Sequence, residues 1–233
     1  MKLKHVLFTV FIVLLLDQVL KIYIKTHFHY GQEVNVLGNW FKLHFIENEG
    51  MAFGMEIGGP YGKLILTSFR LIACIAGIFL IKKYIIDAGY SNGLIFCASL
   101  ILAGALGNCI DSVAYGKIFT DTPFHGSGAA KLVPWGQGYA SLFHGRVVDM
   151  LYFPLIDGHY PIWFPVVGGK EFQFFRPIFN IADAAISGGV IAIFVFQRSI
   201  LQKKPGFEVR PVVEQEVVNP EEITEQNNHS VVS

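Results

Sequence analysis

Four runs of apolar residues dominate the chain and limit the folds that it can adopt. They cover residues 6–24, 63–81, 93–110 and 181–196. A helix needs about 20 predominantly apolar residues to cross the hydrocarbon core of a bilayer, and backbone polar groups in lipid are satisfied only within helices or closed barrels. The pattern therefore predicts an all-α membrane protein with four transmembrane helices.

The basic residues that flank these runs predict the orientation of the chain. They form three groups: Lys2 and Lys4, Lys82 and Lys83, and Arg198, Lys203 and Lys204. With four spans, all three groups lie on one side, which the positive-inside rule makes the cytoplasmic side. We therefore expect both termini in the cytoplasm and the segments 25–62 and 111–180 outside. The first run is interpreted as a retained helix, since no small-x-small cleavage site follows it.

Composition argues against several classes of protein. The 18 Lys and Arg balance 18 Asp and Glu, and no nucleic-acid-binding motif is present, so no nucleic-acid partner is expected. The three cysteines, Cys74, Cys97 and Cys109, lie in or at the end of apolar runs without zinc-ligand spacing, and are predicted to be buried free thiols. HExxH is also absent. We expect neither a metal nor a cofactor.

The segments between the runs predict a small extracytoplasmic addition. In residues 40–45, apolar side chains alternate with Lys42 and His44, which is typical of a strand and predicts a small β element at the membrane surface. Residues 117–144 and 154–177 are predicted to be interfacial loops. We expect one membrane domain over 1–200 and a polar, disordered cytoplasmic tail over 201–233.

Charged residues inside the apolar runs need a physical reason, because a charge at the centre of a bilayer costs at least about 2.5 kcal/mol. Asp17 and Lys21 are four residues apart on one helix face, so they are predicted to pair. The pair either stabilises its own helix or, together with Gln18, orients a neighbouring loop or a substrate headgroup.

Three acids are predicted to meet at one membrane face from separate segments: Asp111, Asp149 and Asp183. Asn180 precedes Asp183 by three residues, a spacing that also fits a helix cap. Two neighbouring carboxylates do not readily ionise together, so one stays protonated while the other activates water. Such a pair hydrolyses amides without a metal. The residues alone leave open which two of the three acids react.

Two other functions remain as alternatives. Acids within membranes also build proton relays, so a small proton-coupled transporter is one of them. Against it, the acids gather at one interface, and no inverted repeat marks a midplane site. The other is a non-catalytic assembly protein whose acids only cap helices.

The chain resembles the bacterial lipoprotein signal peptidases, also called signal peptidase II or prolipoprotein signal peptidase. Five segments in order carry the resemblance: 17–21 (DQVLK), 47–54 (ENEGMAFG), 104–111 (GALGNCID), 145–149 (GRVVD) and 179–183 (FNIAD). The resemblance implies an aspartic endopeptidase of the inner membrane, with its active site towards the outer face. It implies diacylglyceryl-modified prolipoproteins as substrates, cleaved before the lipidated cysteine, and globomycin-type inhibitors.

The resemblance also implies roles for individual residues. Asp149 and Asp183 match the catalytic dyad. The matching supporting positions, which shape the site or contact substrate, are Asp17, Lys21, Asn48, Gly50, Asn108, Asp111 and Asn180.

The chain departs from the family pattern in two ways. Ser112 stands where the family usually has Arg, and we consider Arg146 as a replacement cation. The segments 117–144 and 154–177 are longer than the family pattern leads us to expect. They flank the entry to the site, so we expect them to affect substrate access or partner contacts.

Overall fold

The fold is mostly helical, with a small antiparallel sheet at one end of the helices. The computed structural model describes the following residues: 2–49, 59–124, 128–154, 156–159, 161–166, 169–174 and 177–203. The supporting residue Gly50 and nearly all of the expected polar tail lie outside these ranges.

Within the described residues, three helices are long and apolar enough to cross a membrane: Leu3–His27, Tyr61–Ile86 and Asn92–Ile118. Helix α1 is Leu3–His27, and α2 runs from Gly59 to Leu80 and continues as a π-helical segment, Ile81–Ile86. Helix α3, Asn92–Ile110, continues through a second π-helical segment, Asp111–Tyr115, into the short α4, Gly116–Ile118. The first three predicted spans lie within these helices.

The fourth apolar run forms a shorter helix. Helix α5 covers Ile181–Val195, and α6, Gln197–Ile200, follows it. At 1.5 Å per residue, the 15 residues of α5 extend about 22 Å, which is less than the roughly 30 Å of a hydrocarbon core.

The main sheet has four antiparallel strands in the order β1-β2-β3-β6. The strands are β1 (Glu33–Leu37), β2 (Phe41–Asn48), β3 (Val147–Tyr152) and β6 (Ile178–Phe179). The strand predicted over 40–45 is β2. Within the predicted loop 154–177, two further strands pair with each other: β4 (Ile156–His159) and β5 (Glu171–Phe174). The sequence of β4 does not alternate, and the alternation in β5 extends over only four residues, which is too short to distinguish a strand from a loop.

Small residues bring α3 close to its neighbours, because Ala and Gly allow helix backbones to approach closely. Helix α3 packs against α5 and α1. A Cβ atom on Gly107 would lie 2.7 Å from Asp17 Oδ2 and 3.1 Å from the Ala182 Cβ, so any larger residue there would displace the buried Asp17 carboxylate. This close contact brings the polar residues of α1, α3 and α5 together.

A buried apolar cluster joins the sheet to the helices. Ile24 and Phe28 at the end of α1 pack with Phe45 of β2 and with Val148 and Met150 of β3. The strand that carries Asp149 is thereby fixed against α1. The three cysteines are buried and free, as predicted.

Candidate active site

Asp149 and Asp183 come from two different elements and are close enough to interact electrostatically. Asp149 lies within β3 and is 2% exposed, whereas Asp183 lies in the first turn of α5 and is partly exposed. Burial, reinforced by the negative charge of Asp183, raises the pKa of Asp149 from 3.8 to about 8. A buried acid with a raised pKa beside a second acid is typical of a functional site.

The Asn180 side chain links these acids. Its Oδ1 accepts a hydrogen bond from the backbone N–H of Asp183 at 2.9 Å, which caps α5. Its Nδ2 donates to Asp149 Oδ1 at 2.7 Å and to the carbonyl of Val148 at 3.3 Å. The cap expected from the sequence is therefore present, and the same side chain also holds Asp149.

Two further asparagines also donate to the acids. Asn108 of α3 donates from Nδ2 to Asp183 Oδ1 at 2.7 Å, and its Oδ1 accepts from Asn180 at 3.2 Å. Asn48 of β2 donates from Nδ2 to Asp149 Oδ2. Each acid therefore has a carboxyl oxygen held by a side-chain amide from another segment of the chain.

Beneath the two acids, Lys21 connects α1 to α3. Its side chain is fully buried, and its Nζ lies 2.9 Å from Asp17 Oδ2 and 2.7 Å from Asp111 Oδ2. It also donates to Asn108 Oδ1 at 2.9 Å. The predicted Asp17–Lys21 pair is present as part of this larger network. Asp17 Oδ1 in turn accepts from the N–H of Ala182 at 2.9 Å.

The network also contains Gln18, which we considered together with the Asp17–Lys21 pair, and Tyr115, which we did not anticipate from the sequence. Gln18 donates to Asp111 Oδ1 at 2.9 Å, and the Tyr115 hydroxyl donates to Gln18 Oε1 at 3.1 Å. Asp111 begins the π-helical segment that carries Tyr115, and such segments are frequent at functional sites. Gln18 follows Asp17 directly in an apolar run, and that position is why we considered it together with the Asp17–Lys21 pair.

The structure also locates the two residues involved in the departure from the family pattern. Ser112 is fully buried and donates to the carbonyl of Asn108 at 3.0 Å. Arg146 contacts Glu47, Glu49 and Asp121. The cation that contacts Asp111 is Lys21, and not Arg146 as we considered.

An apolar groove of about 740 Å³ leads away from Asp183. Asp183 and Asn108 are among its lining residues, which otherwise come from α2, the π-helical segment after it, α3 and α5. The apolar members include Phe69, Leu80 and Ile101. A mostly apolar groove with a few convergent polar groups is typical of a ligand site.

Together, the long apolar helices and the buried carboxylates define an integral membrane protein with an acid-lined site at the sheet end of its helices. Residues 9–198 match the family described as Signal peptidase (SPase) II. The chain belongs to the signal peptidase II family, and it is therefore a membrane-embedded peptidase.

Individual relatives agree with this membership. A lipoprotein signal peptidase of Porphyromonas gingivalis is 47% identical over 192 residues, which is 82% of each chain. Another from Amoebophilus asiaticus is 38% identical, covering 91% of this chain and 88% of the relative. A solved bacterial membrane enzyme superposes with a TM-score of 0.56 at 25% identity, over 89% of this chain and 95% of that one. The transporter and assembly-protein alternatives are not favoured.

Proposed function

We propose that the chain removes signal peptides from diacylglyceryl-modified prolipoproteins, cleaving before the lipidated cysteine with Asp149 and Asp183 as an aspartic dyad. Family membership supports the substrate class. The choice of these two acids rests on the contacts of the Asn180 side chain. Its amide NH2 donates to Asp149, and its oxygen accepts from the backbone N–H of Asp183 in the first turn of α5.

The different surroundings of the three acids support this choice. Both carboxylate oxygens of Asp111 already have partners, since Lys21 forms a salt bridge with Oδ2 and Gln18 donates to Oδ1. Asp183 is the acid that lines the apolar groove. Asp149 has no salt bridge to Lys21 in the described network, and its raised pKa favours the protonated form at neutral pH. Asp149 is therefore the proton donor and Asp183 the base.

The proposed reaction needs no covalent enzyme intermediate. Asp183 removes a proton from a water molecule while the oxygen of that water attacks the scissile carbonyl carbon. Asp149 at the same time gives its proton to the carbonyl oxygen. In the tetrahedral gem-diol that results, the amide nitrogen takes the proton from Asp183 while Asp149 recovers one from a hydroxyl. The C–N bond then breaks and leaves a carboxylic acid and an amine.

The apolar groove suits the substrate class. A signal peptide carries an apolar segment of about 7–15 residues, and the groove offers apolar side chains from α2, α3 and α5 next to Asp183. We assign the groove to that segment or to an acyl chain of the lipidated cysteine. Globomycin-type peptides are expected to compete there. Asp17, Lys21, Asn48, Asn108, Asp111 and Asn180 then support the site through the contacts described above.

We also propose the membrane arrangement that the sequence predicts. Helices α5 and α6 together span 181–200 and form a fourth crossing, so both termini are cytoplasmic and the sheet lies at the outer face of the inner membrane. The three groups of basic residues that flank the apolar runs support this orientation, because all three then lie on the cytoplasmic side. Residues 1–200 form the peptidase domain, and 201–233 form a cytoplasmic tail.

The test is cleavage of a diacylglyceryl-modified precursor by purified protein in detergent, followed by gel shift. Asp149→Asn and Asp183→Asn are each expected to abolish cleavage, and Asp87→Asn, at an exposed position after α2, is the matched control. Asp183→Asn leaves the backbone N–H that Asn180 caps, so the helix start is retained. Near-normal cleavage by either site variant would remove that acid from the dyad. Failure of the wild-type protein to cleave would overturn the proposed substrate.

A further inference from the structure

A second group of charged residues lies on the opposite face of β2 from Asn48, away from the dyad. We call it the strand-end cluster: Lys25, Glu47, Glu49, Lys63, Asp121 and Arg146. It contains three cations and three carboxylates, and its members come from α1, β2 and the residue after it, α2, the segment after α4 and the residue before β3. The chemistry proposed above uses none of them.

Glu47 is the most buried carboxylate of the cluster, with a side chain 1% exposed. Its Oε1 contacts the Nζ of Lys25, which is itself fully buried, and accepts from the hydroxyl of Thr122 at 3.2 Å. Its Oε2 accepts from Arg146 Nη1 at 3.3 Å. Burying charges is costly unless they are paired and hydrogen-bonded, so Glu47 is held firmly by three segments.

Arg146 extends the cluster around the ends of both strands. Its Nε donates to Glu49 Oε1 at 3.2 Å, and its Nη1 donates to Asp121 Oδ1 at 2.7 Å. Its backbone N–H donates to the hydroxyl of Tyr139 at 2.6 Å, and its guanidinium lies 4.9 Å from the centre of the Tyr139 ring. Asp121 and Tyr139 belong to the long segment 117–144, so this segment braces the strand ends.

The braced strand ends carry the groups that hold Asp149. In the antiparallel register, Asn48 pairs with Val147 and Glu47 pairs with Val148, so Glu49 and Arg146 come directly after the last pair. Successive side chains alternate between faces of a strand. Glu47 therefore points into the strand-end cluster, while its neighbour Asn48 points to Asp149, to which it donates.

We propose that Glu47 is a positioning residue for the peptidase: anchored by Lys25 and Arg146, it fixes the end of β2 so that Asn48 keeps its hydrogen bond to Asp149. The inference rests on the proposed function of Asp149. It gives the segment 117–144 a role in the reaction, because Asp121 and Thr122 complete the anchor.

The pH profile distinguishes positioning from a purely structural role. Asp149 interacts electrostatically with Asp183 of α5, Lys21 of α1 and Asp111 of the π-helical segment after α3, and Asn180 and Asn48 donate to its oxygens. A donor to a carboxylate stabilises the ionised form. Loss of the Asn48 bond therefore makes Asp149 keep its proton to higher pH, and the alkaline limb of kcat moves upwards.

The experiment compares Glu47→Gln, Asn48→Ala and the double variant for precursor cleavage across pH. Because a displacement of about 1 Å in a supporting group can cost about a hundredfold, each single variant is expected to lower kcat by about tenfold to a hundredfold. KM is expected to change little, and the alkaline limb to rise in both. The double variant is expected to be no worse than Asn48→Ala alone, since Glu47 acts through Asn48.

Controls separate this effect from general damage. Glu33→Gln removes an exposed charge pair with Lys42 on the same sheet, and is expected to leave kcat and its pH profile unchanged. If Glu47→Gln folds poorly, Arg146→Lys provides a milder change, because lysine lacks the planar fork that reaches three carboxylates. It is expected to change kcat and the alkaline limb in the same direction to a smaller extent.

A well-folded Glu47→Gln variant with wild-type kcat and pH profile would overturn the inference. Two other results would also overturn it. One is a double variant whose loss of kcat equals the product of the losses in Glu47→Gln and Asn48→Ala, and the other is a loss of kcat that only matches the loss of folded protein. An infrared titration of the Asp149 carboxyl without substrate, assigned with Asp149→Asn, gives a second readout. An upward shift in Glu47→Gln would support the positioning role even if the wild-type protein failed to cleave the lipidated precursor, and no shift would refute it.

Discussion

The raised pKa of Asp149 makes a quantitative prediction about stability. An acid that stays protonated in the folded protein but ionises in the unfolded chain makes folding less favourable as pH rises. Asn cannot ionise, so Asp149→Asn removes this dependence. The variant, although inactive, is expected to become progressively more stable than the wild-type protein as pH is raised.

The magnitude follows from the two pKa values. The pKa of Asp149 is about 8 in the folded protein, against an ordinary value of 3.8. Each pH unit between these values corresponds to about 1.4 kcal/mol. The stability contribution of Asp149 is complete below pH 3.8 and is lost as pH rises towards 8. From pH 5 to pH 8, the difference in the free energy of unfolding therefore shifts by about 4 kcal/mol in favour of Asp149→Asn.

At low pH the order is expected to reverse. Asn48 and Asn180 donate to the two oxygens of Asp149, and an Asn side chain offers only one oxygen, so one buried donor is left without its acceptor. That loss costs about 1–3 kcal/mol. Thermal unfolding in detergent at intervals from pH 5 to pH 8 measures both effects, with Asp87→Asn as the matched control. A difference between Asp149→Asn and wild type that does not change with pH would refute a protonated, buried Asp149.

Three other changes test separate parts of the structure. Lys21→Met is expected to destabilise the protein by about 3–5 kcal/mol in thermal unfolding, because it leaves buried Asp17 and Asp111 without their cation; the added change Asp111→Asn is expected to recover part of the loss. Ser112→Arg, which restores the usual family residue, is expected to reduce folded yield, since Ser112 is fully buried; a normal yield would show that the site accommodates both. Trp163, between β4 and β5, is 78% exposed and is expected to lie among lipid headgroups. Brominated lipids are therefore expected to quench its fluorescence in a variant whose other two tryptophans are changed to Phe. Quenching by aqueous iodide alone would contradict this position.

Local spacing in the sequence predicted the parts of the molecule that depend on local geometry. Long apolar runs predicted the first three helices, and alternation around Lys42 predicted β2. The four-residue spacing of Asp17 and Lys21 predicted their contact, and the Asn180 spacing predicted a cap. Each of these depends on residues within one or two turns or on one strand, where backbone geometry fixes which side chains meet.

Partnerships between distant segments were beyond such reasoning. Asp111 meets Lys21 because α3 lies close to α1, and Arg146 meets Glu47 because β2 pairs with β3. These contacts follow from packing, and nothing in the spacing of the residues encodes them. The resemblance to the family indicated Asn48 as a supporting residue but did not predict its contact with Asp149.

Asn180 shows that helix capping and support of an acid pair are compatible roles of one residue. Its oxygen caps α5, and its amide holds Asp149. Ser also caps helices well but lacks the amide, so Asn180→Ser separates the two roles. We expect α5 to remain formed, with a small loss of thermal stability, and kcat for precursor cleavage to fall by about a hundredfold. Asn180→Ala removes the cap as well and is expected to lose a further ~1 kcal/mol. Wild-type cleavage by Asn180→Ser would mean that Asn180 serves only as a cap, and the link between the two acids would then have no part in the reaction.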